Sequence, residues 1–201
     1  MTDIVLEWLL GNYIEILGAI LGLAYIVFSI KQNIFTWPTG LLTSALYVVV
    51  FFNARLYADM GLQVYYVIIS IYGWYFWITG KKQNEKNVAV KTTRKVLWIK
   101  LAIVSAALYA LLLFILNNYT NSDVPHMDSI TTSLSIVATW MLARKYLEHW
   151  LLWVFIDAFS AGLYVYKGLW ATVILFIVYT IMAWLGYVEW KKDLKGIEAK
   201  N

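Results

Sequence analysis

Apolar runs of about 20 residues recur along this whole 201-residue chain, separated only by short polar segments. In hydrocarbon, every backbone N–H and C=O must find its partner inside the protein, which leaves helices and closed barrels as the only spanning structures. Runs of this length match the rise of a transmembrane helix. Hydrophobic residues make up 62% of the chain and charged ones 14%, whereas a water-facing domain carries about 25% charge. The expected fold is an all-α integral membrane protein.

Seven spans are expected. They run from about Tyr13 to Ile30, Leu41 to Phe52, Gly61 to Thr79, Val96 to Leu116, Asp128 to Ala143, Trp150 to Tyr166 and Trp170 to Trp190. A hydrophilic connector, Gly80 to Lys95, follows the third span, and a polar loop, Asn117 to Pro125, follows the fourth. The charged tail from Lys191 is expected to fray. The acidic start, Met1 to Glu7, lacks a small-residue cleavage site and does not read as a signal peptide.

The net charge of +4 is an orientation signal, not a nucleic-acid one, because the basic residues sit between the apolar runs. Of the 16 Lys and Arg, 14 fall on one side of the seven spans: Lys31, the 3–4 connector with the start of helix 4, the 5–6 loop and the tail. Only Arg55 and Lys167 fall on the other. The positive-inside rule then puts the N-terminus outside and the C-terminus in the cytoplasm. No cysteine is present, which excludes disulfides and thiolate metal sites.

Shifting the chain by 113 positions lays Trp37 on Trp150, Glu15 on Asp128, Lys31 on Arg144, Gly73 on Gly186 and Trp77 on Trp190. Arg55-Leu56-Tyr57-Ala58 then lies over Gly168-Leu169-Trp170-Ala171. The expected plan is one transmembrane domain over 1–201. Within it, 11–80 is a first three-helix repeat, 81–117 the connector and linker helix 4, and 124–193 the second repeat. Such a parallel 3+1+3 arrangement binds substrate between its halves near the bilayer midplane.

The stretch with most chemistry is Glu148 to Asp157. Trp150, Trp153 and Asp157 share one helix face. Two electron-rich rings above a carboxylate form a receptor for a flat organic cation, although tryptophans near a helix end also serve as interfacial anchors. An ionisable group inside a span marks a functional site by default. Gln63, Ser70, Trp74 and Trp77 share a face of helix 3, and Glu15 lies in the first turns of helix 1 beside Asn12 and Tyr13. The hydroxyls of helix 5, Ser129, Thr132, Ser133, Ser135 and Thr139, fit helix packing better than ligand binding. His126 and His149 lack a second ligand at metal spacing, so no metal and no cofactor are expected. No catalytic grouping or phosphate-cradling Gly loop is present in the sequence, and facilitated diffusion is the simplest mechanism.

Several motifs, in order and spacing, resemble the PnuC family of bacterial vitamin transporters over almost the full chain. They are Trp37-Pro38-x-Gly40, Leu56-Tyr57-Ala58 followed by Gln63, Tyr72-Gly73-Trp74-Tyr75-x-Trp77, Asp128 with Ser135-Ile136-Val137-Ala138, Ala143-Arg144-Lys145, and Glu148-x-Trp150-x-x-Trp153. The resemblance implies a seven-helix core related to sugar-transporting SWEET proteins, in the bacterial inner membrane and surrounded by lipid, assembled as a homotrimer. It implies facilitated diffusion of a small-molecule vitamin, typically nicotinamide riboside, trapped by a cytosolic kinase. It also assigns the substrate's aromatic ring to Trp150 and Trp153. His149 and Asp157 stand where the nicotinamide riboside branch carries Asn, which keeps thiamine as an alternative substrate. Other branches move riboflavin or deoxynucleosides, and a membrane scaffold or sensor is the non-transport alternative.

Overall fold

The computed structural model describes residues 13–53, 57–80, 88–120, 122–166, 168 and 170–198. Among them are seven helices and no strand: α1 Tyr13–Ile30, α2 Thr36–Asn53, α3 Tyr57–Thr79, α4 Lys95–Tyr119, α5 Pro125–Ala143, α6 His149–Tyr166 and α7 Trp170–Glu198. Asn12, Arg55, Lys81, Lys82, Lys86, Lys167, Lys200 and the acidic start Met1 to Glu7 lie outside the described residues.

Hydropathy located each helix and misplaced several ends, because it marks the apolar core of a span and not its last hydrogen-bonded turn. α2 starts five residues before the expected Leu41. An Asx turn precedes it, with the Phe35 N–H donated to Asn33 Oδ1 at 2.9 Å, and the Thr36 hydroxyl donates to the Asn33 carbonyl at 2.8 Å. Pro38 lies within its first turn, where a missing N–H is harmless. α4 runs to Tyr119, into the expected polar loop. Asn118 and Thr120 bond back to the carbonyls of Phe114 and Leu116 there, at 2.7 and 2.8 Å. The tail does not fray after Lys191: α7 stays helical to Glu198, through a Lys-rich stretch free of proline that includes the Glu189–Lys192 pair at 3.0 Å.

The chain forms two compact units, Met1–Trp74 and Tyr75–Asn201. In the first, α1 packs on α2. In the second, α4 packs on α5, α5 on α6 and α6 on α7. α4 packs on α5 through Leu97 and Leu101 and turns other apolar side chains outward, Val96, Ile99, Ile103, Leu111 and Phe114 among them. Lys95–Tyr119 and Thr172–Gly196 are each long and apolar enough to cross a membrane, with mean hydropathies of 2.5 and 1.7. A helix that is apolar all round needs an apolar solvent.

Candidate functional site

The corner leading into α6 sets the site. After α5, Lys145 takes a left-handed φ of +55°, and so does Gln32 after α1, at +52°. These residues are 113 positions apart, and the bonds around them repeat at the same offset. Lys31, Gln32 and Asn33 donate to the carbonyls of Val27, Ser29 and Phe28; Arg144, Lys145 and Tyr146 donate to those of Trp140, Leu142 and Met141. The Thr36 hydroxyl bond to the Asn33 carbonyl has its counterpart in His149, whose Nδ1 lies 2.7 Å from the Tyr146 carbonyl. A carbonyl only accepts, so Nδ1 carries the proton and Nε2 presents its lone pair.

The corner delivers Trp150 into a notch. The ring lies so close to Gly186 that an added Cβ would come within 2.6 Å of it. In the first unit, an added Cβ on Gly73 would likewise overlap the Trp37 ring, 113 residues earlier. The indole must touch backbone, so only glycine fits. Trp150 is 4% exposed, meets Trp190 edge-on at 5.8 Å and lies 4.5 Å from the His149 ring. Neither Trp150 Nε1 nor His149 Nε2 has a hydrogen-bond partner among the described residues. Buried core groups are rarely left so.

Along α6, Trp150, Ile156, Asp157, Ser160, Ala161 and Leu163 are buried, while Leu151, Phe155, Ala158 and Val165 are exposed. Trp153 lies in the middle of the buried arc but is only half-buried. Asp157 is 6% exposed, and no hydrogen bond or ion pair reaches it from the described residues. A carboxylate in that setting is costly without a cationic partner.

The first unit holds the remaining expected residues. Ser70 is buried, Gln63 half-buried and Trp74 exposed on α3, and Glu15 lies in α1 with its side chain outside the described residues. Here the repeat is broken in one informative way. The Tyr25 ring would lie 2.9 Å from a Cβ on Gly40. In the second unit, the corresponding positions are Ala138, which is fully buried, and Trp153. The large ring has changed helices.

A tight aromatic cluster escaped the sequence reading. Lys145, counted there as a loop charge, is 1% exposed, with Nζ 4.3 Å from the centre of the Trp77 ring and 5.9 Å from that of Trp190. Trp77 also donates its indole N–H to the Ala143 carbonyl at 3.1 Å. The left-handed φ turns the lysine inward, and sequence carries no sign of that. No group of His, Asp and Glu suited to a metal occurs among the described residues.

A family model described as nicotinamide mononucleotide transporter matches residues 12–192. The chain belongs to this family. The transporter is 29% identical to the nicotinamide riboside transporter PnuC of Escherichia coli (strain K12), over 89% of this chain and 85% of that protein. It is 25% identical to the riboflavin/roseoflavin transporter RibM of Streptomyces davaonensis, over 88% and 83% respectively. Its fold is that of a crystal structure of the vitamin B3 transporter PnuC, with a TM-score of 0.75, 22% identity, and coverage of 96% of this chain and 86% of that one.

Proposed function

We propose that this chain carries nicotinamide riboside across the bacterial inner membrane by facilitated diffusion. The observation that carries the reading is the pairing on α6 of a half-buried indole, Trp153, with a buried carboxylate, Asp157. A pyridinium ring stacks on the first and is neutralised by the second. Trp150 holds the start of the helix and presents the unsatisfied N–H described above. Gln63, Ser70 and Trp74 on α3 and Glu15 on α1 are the further substrate-binding residues of this proposal. Membership of a transporter family and similarity to named riboside transporters support the substrate class.

The finer features belong to the same proposal. The chain is a multi-pass protein of two three-helix repeats joined by linker helix α4, with its N-terminus outside. It works as a homotrimer, and a cytosolic kinase phosphorylates the arriving riboside and makes uptake one-way. Similarity to RibM favours a flavin carrier as a second reading, but a neutral isoalloxazine gains nothing from Asp157. Isothermal titration of the purified protein with nicotinamide riboside, thiamine and riboflavin, side by side, tests this. Binding of the riboside alone is expected. Binding of thiamine or riboflavin in its place refutes the assignment.

A further inference from the structure

Glu148 is part of the motif that opens α6, yet nothing above uses its side chain. The two matching corners show what it does. At the first corner, Asn33 closes the turn on itself by accepting the Phe35 N–H. At the second, the equivalent of Asn33 is Tyr146, which has no acceptor placed to do this, and the connector ahead of α4 closes the turn instead. Lys91 N–H donates to the Lys145 carbonyl at 3.0 Å, and Leu147 N–H donates to the Lys91 carbonyl at 2.9 Å, a parallel bridge between the two segments. Lys91 Nζ lies 4.4 Å from the centre of the Tyr146 ring. Glu148 completes the clasp: Thr93 N–H is shared between its two oxygens at 3.1 and 3.0 Å, and the Thr93 hydroxyl donates to one of them at 2.7 Å. Charge-assisted bonds of this kind are about twice as strong as neutral ones.

We propose that Glu148 is a positioning residue for substrate binding, which acts by fastening the first turn of α6 to the connector at Thr93. The inference rests on the transport reading above. The clasp lies two residues before Trp150 and five before Trp153, at the point where a small rotation of the helix start moves both rings. A left-handed corner residue alone leaves that rotation free, and the connector removes it. Carboxylate is required: an amide has one acceptor and would turn an N–H donor toward the Thr93 donors.

The test titrates nicotinamide riboside into the purified full chain and its variants Glu148→Gln, Thr93→Val, Thr93→Ser and Glu148→Gln with Thr93→Val, each with its thermal unfolding curve. Glu148→Gln and Thr93→Val are each expected to weaken binding at least fivefold. Thr93→Ser, which keeps the hydroxyl, stays within twofold of wild type. The double variant is no weaker than Glu148→Gln, because both changes open the same clasp. Should Glu148→Gln fail to fold, Thr93→Val against Thr93→Ser decides. Wild-type affinity in Glu148→Gln or Thr93→Val, loss in Thr93→Ser equal to that in Thr93→Val, or additive losses would overturn the proposal. Absence of riboside binding by the wild type overturns the transport reading instead, and the positioning role with it.

Discussion

Replacing Asp157 by Asn should make the protein a poorer receptor and no less stable, a combination that separates a counter-ion from a packing residue. The substitution keeps size and shape and removes one negative charge. Asp157 is 6% exposed and receives no hydrogen bond or ion pair from the described residues. The empty protein therefore bears the cost of a desolvated carboxylate that a bound cation offsets. At an effective dielectric of about 20, a pyridinium about 4–7 Å away is attracted by about 2–4 kcal/mol. The expected loss on Asp157→Asn is about 1.4–4 kcal/mol, an increase of about 10- to 1,000-fold in Kd. A built-in control is the reduced riboside, whose dihydropyridine ring is similar in size and uncharged. Titrating both ligands into both proteins gives a cycle in which the loss of ring aromaticity cancels and the coupling of ligand charge to Asp157 remains. Wild type should prefer the cationic form, the variant should lose most of that preference, and the variant's melting temperature should equal or exceed the wild type's. Equal loss for both ligands with a lowered melting temperature would refute the counter-ion argument and make Asp157 a packing or helix-contact residue.

Gly186→Ala places a methyl within 2.6 Å of the Trp150 ring and should cost about 1–3 kcal/mol of stability. Gly162→Ala meets nothing within 4 Å and should be neutral or stabilising by up to about 1 kcal/mol; thermal unfolding in detergent compares the two. Lys145→Ala removes a buried cation that faces Trp77 and Trp190 and should cost about 1–3 kcal/mol. Near-ultraviolet circular dichroism should report the accompanying change around the tryptophans, and an unchanged spectrum and melting temperature would remove Lys145 from the cluster.

The helices were legible because hydrocarbon admits few alternatives: a run of apolar residues long enough to span has to satisfy its backbone within itself. Their ends were not, because Thr36, Asn118 and Lys192 extend helices by local bonds that hydropathy does not register. The face of α6 that carries Trp150, Trp153 and Asp157 was also legible, since helical period alone puts them together. What period could not give was their difference in role. Trp150 presses on Gly186 while Trp153 stays half-open, and that depends on which neighbour is small.

The two units explain how one sequence pattern yields such unlike neighbours. Both carry the same left-handed corner and the same indole seated on a helical glycine. Three of their differences bear on the candidate site. Tyr25 packs on Gly40 in the first unit, where the second has Ala138 and Trp153. Ser44 stands where the second has Asp157, both 6% exposed. Asn33 closes its own corner where Tyr146 needs the connector. In the first unit the exchange leaves Tyr25 packed against Gly40 and Asn33 capping its own corner. In the second it leaves a ring partly uncovered, a charge without a partner among the described residues, and a corner braced from outside. A binding site needs groups that remain unsatisfied until the ligand arrives, held on a backbone that does not yield to satisfy them. The second unit has both, and the brace at Glu148 is what keeps the first turn of α6 from relaxing toward the arrangement its twin has adopted.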